Sequence, residues 1–221
     1  MSERFTEAMV AANAPLWRAA TTHRFVLELG ADTLPDDVFR RYLVQDFAFI
    51  EALVTLLGFA VAHAPNMPAK RRLAGFLGAV TGDETNYFER ALTALGAAEA
   101  FAAPGRIALN ATTERFRAAM AAAGERGSYA EILAIVAPAE WVYLEWAHAC
   151  PLPGPKRFYL KEWIELHAIP AFADLVEWLR GELDREASAA DTAARERLAG
   201  LFRATLALER DFFEAAYGNG V

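Results

Sequence analysis

The chain has 221 residues, 55% of them hydrophobic and 23% charged, so it can bury a real core and is not a disordered tail. The 22 Lys and Arg against 29 Asp and Glu leave a net charge of −7, without the basic footprint that a nucleic-acid partner needs. A single cysteine, Cys150, excludes an intrachain disulfide and a cysteine-based zinc cluster.

No basic start with a short apolar run marks a secretory leader. Asp, Glu, Gln or His interrupt the apolar stretches before the roughly 20 residues of a membrane span. The expectation is a soluble, cytoplasmic protein with no membrane partner. Ala, the best helix former, is the commonest residue, and few stretches alternate with period two. Helices are therefore expected nearly end to end. The first runs from Phe5 to Ala20. A short one, His23 to Leu29, stops at Gly30, which suits a left-handed helix end. In ADTLPDDVFRR, Thr33 or Asp32 is placed to cap, and Pro35 fits an early helical position. Asp36 and Asp37 favour the positive end of the dipole. That helix reaches His63 and ends at APNMP. A helix pair lies between Ala69 and Leu95, with a break near Gly82, and Gly96 to Arg106 reads as a loop. Further helices are expected over about 108–123, 128–149, 156–168, 171–186 and 190–217. The linkers are short and nothing repeats, so a single all-α domain over residues 1–221, a helical bundle, is the economical reading.

Three acids interrupt apolar stripes. Asp46 falls among Phe39, Leu43, Phe49, Ile50 and Leu53. Glu140 falls among Leu133, Val136, Tyr143 and Ala147. Glu209 falls among Leu198, Phe202, Thr205, Phe212 and Ala216. A solvated acid would sit on the opposite face, and a buried one must be paired, hydrogen-bonded or protonated. Each acid is followed by an aromatic residue three positions later: Phe49, Tyr143 and Phe212. Residues at that spacing share a helix face. If the three helices converge, they build an aromatic-walled acidic pocket suited to a flat, nitrogen-rich heterocycle. Crowded carboxyls raise one another's pKa, which suits general acid–base work. A structural hydrogen-bonding role for each acid is the bland alternative. Pro138 kinks the helix just before Glu140, either freeing carbonyls near the pocket or simply being tolerated.

Other residues carry weaker signals. Glu84 and Tyr87, in GDETNYF, repeat the acid–aromatic spacing and would extend the pocket rim, although a solvated acid is the default. His167 shares a stripe with Trp163 and either lines the pocket or is a satisfied core histidine. Glu145 and His148 form an E-x-x-H pair, but no second pair accompanies it as a di-iron site requires. His23 reads as a capping or core residue rather than a heme ligand. His63 reads as a helix-end residue, and Cys150 as inert. Trp17, Trp146 and Trp178 read as packing or subunit contacts.

The stretch HRFVLELGADTLPDDVFRRYLVQDFAFI resembles the opening of the TenA, or thiaminase II, family: a His-x-Phe segment, a Leu-Pro turn, then Tyr-Leu-x-Gln-Asp. PAEWVYLEWAHA, FYLKEWIELHA and LALERDFFEAAY match its later motifs in order, so the resemblance spans most of the chain. It implies a heme-oxygenase-like helical bundle, a homo-oligomer (a tetramer or dimer), and salvage of the pyrimidine half of thiamine without metal or cofactor. By position, Asp46 would hold the amino group and a ring nitrogen of an aminopyrimidine. Glu209 would act as the acid, and Tyr143 would lie beside the reacting carbon. The family's catalytic cysteine is replaced by Ala139, which removes the thiolate route. Glu140 comes next, as in the family's cysteine-less branch, which resembles an aminopyrimidine hydrolase acting on formylated or free aminomethylpyrimidine. Phe49 and His167 stand where much of the family has tyrosine.

For hydrolysis, Glu140 is expected to activate water, with direct attack by its carboxylate as the rival. Glu209 would protonate the leaving amine and Tyr143 would stabilise the oxyanion. Asp46, Phe49, His167, Phe212 and Glu84 would bind the substrate. An oxidase of the same fold, cofactor-free or di-iron, and a non-catalytic binder of a thiamine fragment remain the other readings. A transcription-activator role fits poorly with an acidic helical chain.

Overall fold

In the computed structural model, which describes residues 4–218, the chain folds as an all-α bundle. It opens with α1 (Phe5–Ala12), α2 (Ala14–Thr21) and α3 (Arg24–Gly30), followed by α4 (Asp36–His63) and α5 (Met67–Ala79). A π-helical segment, Val80–Glu84, joins α5 to α6 (Thr85–Ala94). Next come α7 (Ala98–Ala102), a 3-10 turn at Pro104–Arg106, α8 (Ala111–Arg126) and α9 (Tyr129–Ala149). The chain closes with α10 (Phe158–Ala168), α11 (Pro170–Ala189) and α12 (Thr192–Ala215).

Two helices organise the rest. α9 is buried at every position from Ile132 to Glu140, as expected of a helix that is apolar all round. It packs against α2, α4, α8, α10, α11 and α12. Its start is fixed by a capping box in which Ser128 and Glu131 satisfy each other's backbone N–H groups. α4 packs against α5, α6, α8, α9 and α12. By length and mean hydropathy (1.7) α4 would pass for a membrane-crossing segment. Here it is a core helix of the bundle, with Gln45 and Asp46 in its middle. Gln45 clamps the chain entering α8, donating to the Ala108 carbonyl at 2.9 Å and accepting from the Asn110 N–H at 3.0 Å. α8 approaches α4 closely at Gly124, where a Cβ would stand 2.6 Å from the Phe59 ring.

Several local expectations are corrected. The first helix is two helices, interrupted at Asn13, whose side chain turns back to the Met9 carbonyl at 2.8 Å. Gly30 is the last helical residue of α3, and the left-handed position is Asp32 (φ 60°). Gly30 instead gives room for a close approach, since a Cβ there would lie 3.0 Å from Cys150 Sγ. Neither Asp32 nor Thr33 caps α4. Pro35 takes the N-cap position without a side-chain bond. Asp32 instead accepts from the Lys156 N–H at 2.9 Å and from Arg157 Nε at 2.7 Å, tying the α3–α4 turn to the approach to α10. The break expected near Gly82 is the π segment. The expected loop from Gly96 to Arg106 contains α7 and the 3-10 turn.

Candidate active site

The three stripes converge. Asp46 from α4, Glu140 from α9 and Glu209 from α12 are 2%, 9% and 2% exposed and line one cavity of about 640 Å³. Glu84 joins them from the π segment. A π turn inserts an extra residue and rotates the helix beyond it, and such turns often mark functional positions. Phe49, Tyr143, Trp163 and His167 supply aromatic walls. The volume lies within the roughly 300–1,000 Å³ of small-molecule sites.

The floor is under-supplied with hydrogen-bond donors. Asp46 Oδ2 and Glu209 Oε1 are buried with no protein partner. A buried polar atom without a partner is uncommon and signals a donor to come from elsewhere. Tyr42, one turn before Asp46, is fully buried, and its hydroxyl lies 2.7 Å from that of Tyr143. Trp163 stacks on Tyr87 (5.1 Å between centroids, 19° between planes) and meets Tyr143 edge-on. The Tyr87 hydroxyl is fixed by donating to the Tyr159 carbonyl at 2.7 Å.

The acids feel one another. Desolvation pushes the Asp46 carboxyl well up, Glu84 adds to this, and the Tyr42 hydroxyl pulls the other way. Glu140 is raised by desolvation, then by Glu84 and Asp46, and Glu209 by desolvation, then by Asp46 and Glu140. Burial raises Glu84 to about 8. Glu84 therefore favours its protonated form at neutral pH, and the other three acids are shifted in the same direction. His167 behaves oppositely. Burial lowers it to about 4, so its ring is neutral. Its Nδ1 lies 2.8 Å from the Trp163 carbonyl, which can only accept, so the proton sits on Nδ1 and Nε2 is left as an acceptor.

The remaining expectations divide. Phe212 is buried behind the wall, with its ring 5.6 Å from Tyr42 and 6.0 Å from Phe49, and does not border the cavity. Three positions along α12 from Glu209, it falls on the core side of that helix. Ala139 borders the cavity, so a methyl group stands where the resemblance would place a cysteine. His23 caps α3, accepting from the Phe25 N–H at 3.2 Å. Cys150 sits at the C-terminal end of α9, and burial raises its thiol to about 11. Glu145 and His148 are exposed on α9. Among the described residues, no group of three or more His, Cys, Asp or Glu side chains is arranged to hold a metal ion. The acid–aromatic spacing did not single out Trp163, which lines the cavity, or Tyr42, which lies outside the lining and backs Asp46 and Tyr143 with its hydroxyl. Tyr42 was findable, since i−4 from Asp46 is the same face one turn earlier.

Comparison with known proteins places this architecture. The model of the TENA/THI-4/PQQC family matches residues 10–219. The aminopyrimidine aminohydrolase of Halalkalibacterium halodurans is 28% identical over 209 residues, covering 93% of this chain and 92% of that protein. The aminopyrimidine aminohydrolase of Bacillus subtilis is 25% identical over 218 residues, covering 97% and 90%. Among solved structures, a TenA homologue from P. horikoshii OT3 superposes with a TM-score of 0.85 at 23% identity, covering 99% of this chain and all of the other. A TenA homologue from Pyrococcus furiosus gives a TM-score of 0.83 at 20% identity, covering 96% of this chain and all of the other. With a family model matching nearly its whole length, the chain belongs to the TENA/THI-4/PQQC family.

Proposed function

We propose that the protein hydrolyses aminopyrimidine breakdown products of thiamine, converting free or formylated aminomethylpyrimidine toward the hydroxymethylpyrimidine. The observation that carries this reading is the pair of buried, partnerless carboxylate oxygens on Asp46 and Glu209 in one aromatic-walled cavity. An aminopyrimidine offers what they lack: N–H donors at the edge of a flat ring. It is also a base, so the proton-rich acid cluster can protonate a ring nitrogen and leave a carboxylate–pyrimidinium pair.

In this reading Asp46 anchors the ring, and Phe49 and Tyr143 flank it. Glu140 takes a proton from water, whose oxygen bonds to the reacting carbon. The C–N bond breaks with its electron pair going to nitrogen, and Glu209 protonates that nitrogen as it leaves. The raised pKa values suit both roles, favouring the protonated form of Glu209 as acid and making Glu140 a stronger base once ionised. Ala139 offers no nucleophile, which sets this chain apart from a thiolate mechanism. The relatives named aminopyrimidine aminohydrolase support the same substrate class. We also read the bundle as heme-oxygenase-like and the protein as a homo-oligomer. Leu27, Met67 and Leu152, which are 60%, 66% and 95% exposed, would then be natural surfaces for a second copy to cover.

The test is incubation of chelator-treated protein with free and formylated aminomethylpyrimidine, with products followed by mass spectrometry. Hydroxymethylpyrimidine, or the deformylated amine, is expected. Tight binding without product would favour a carrier, and oxygen consumption would favour an oxidase.

A further inference from the structure

The cavity is larger and more varied than one pyrimidine ring requires. The four acids form its floor. Leu53, Phe76, Leu166 and Leu175 add buried or half-buried apolar lining. Its exposed lining, the outer rim, includes Arg71, Arg72 and Gly75 on α5 and Asp174 near the start of α11. Neither arginine has an ion-pair or hydrogen-bond partner among the described residues, and Asp174 has none either. Gly75 is one turn beyond Arg71, and a Cβ there would meet nothing within 4 Å, so the groove beside the guanidinium groups is open. Buried acids, hydrocarbon and exposed cations thus share the lining of one cavity.

We infer that the outer cavity binds a carboxylate-terminated acyl arm, so that the substrate class extends to N-acyl aminomethylpyrimidines of dicarboxylic acids. This rests on the aminopyrimidine reading of the floor. The arm's methylenes would lie against the apolar lining, and its terminal carboxylate would meet Arg71 and Arg72, whose planar donors match a carboxylate. Two guanidinium groups and Asp174 leave one net positive charge at the rim, which suits a monoanion better than a phosphate. Hydrolysis would place water's oxygen on the acyl carbon and break the amide C–N bond. The diacid is released, and the amine leaves with the proton from Glu209.

Titration calorimetry on Glu140→Gln protein, which should hold the amides uncleaved, tests this. The ligands are N-formyl, N-succinyl and N-levulinoyl aminomethylpyrimidine, the last a neutral arm as long as succinyl. The succinyl compound should bind about tenfold tighter than the levulinoyl compound at low salt. That preference should shrink in about 0.5 M salt. Arg71→Ala with Arg72→Ala should abolish the preference and leave formyl binding unchanged. Both arginines are exposed and unpartnered, so the fold should tolerate their loss. Gly75→Phe should weaken both long-armed ligands and spare the formyl compound. Equal affinities for the two long arms, or a preference that survives in the double variant, would overturn the inference. So would tighter binding of a phosphate-ended arm. An arginine-dependent succinyl complex in a protein that turns over no aminopyrimidine would keep the inference and overturn the proposed reaction. Failure of all three ligands to bind would overturn both.

Discussion

Glu140→Gln preserves side-chain shape and removes the ionisable group that the mechanism needs. Glu140 closes the nine-residue buried run of α9 and is raised first by desolvation, then by Glu84 and Asp46. General-base assistance is worth about 10²–10⁴ in rate, or about 3–5 kcal/mol of barrier. We expect kcat to fall by that factor while ligand affinity is retained. The same change should not destabilise the protein at neutral pH. For an acid whose folded-state pKa is raised, the unfolded chain ionises first as pH climbs, so folding stability falls from the ordinary carboxyl range up to the raised value. Gln at 140 removes one such contribution, so the variant's melting temperature should decline less steeply with rising pH than the wild type's. Steady-state rates by mass spectrometry, titration calorimetry and thermal unfolding read the three quantities. A near-normal kcat would refute the assignment. So would a loss of activity that merely tracks a lowered melting temperature at pH 7.

The other predictions rest on single contacts. Asp46→Asn should raise KM far more than it lowers kcat, because it removes the charge that holds the protonated ring; an unchanged KM would count against the anchor. Glu84→Gln should flatten the loss of stability between pH 4.5 and about 8, the window between its ordinary and folded values, as followed by thermal melts. His167 should stay neutral down to about pH 4 in an NMR titration of its ring protons. Its depressed pKa means that stability falls as pH drops from 6.5 toward 4, and a ring titrating near 6.5 would contradict the burial that depresses it. Gly124→Val should cost about 1–3 kcal/mol in denaturant unfolding, since its Cβ would collide with the Phe59 ring where α8 meets α4.

The acids of the site were legible because burying a carboxylate is expensive, so Asp46, Glu140 and Glu209 stand out wherever they interrupt an apolar stripe. Their convergence was not legible, because periodicity gives the face of each helix and says nothing about which faces meet. Phe212 shows the limit of the spacing rule. A residue three positions on is rotated by about 60° from its partner, enough to turn the ring from the cavity to the core behind Phe49. Glu84 was ambiguous because the π segment breaks the 3.6-residue count on which its side chain's direction depends. Capping at the α3–α4 turn was misread for a related reason. Asp32 has the right chemistry for a cap, but Arg157 and the Lys156 N–H, over 120 residues away, compete for its oxygens and win. Arg71 and Arg72 carry no signal in the sequence, because they read as any exposed helical face until the fold puts them in the same cavity lining as the acids.

The central question is whether a carboxylate on α9 activates water at an aminopyrimidine. A single turnover of aminomethylpyrimidine by excess enzyme in ¹⁸O-labelled water tests it most directly. If Glu140 acts as a base, the hydroxymethylpyrimidine of that first turnover carries ¹⁸O and Glu140 does not. If product carries ¹⁶O and the label appears in the peptide containing Glu140, the carboxylate itself attacked the substrate. Absence of any hydroxymethylpyrimidine would contradict the hydrolytic reading altogether.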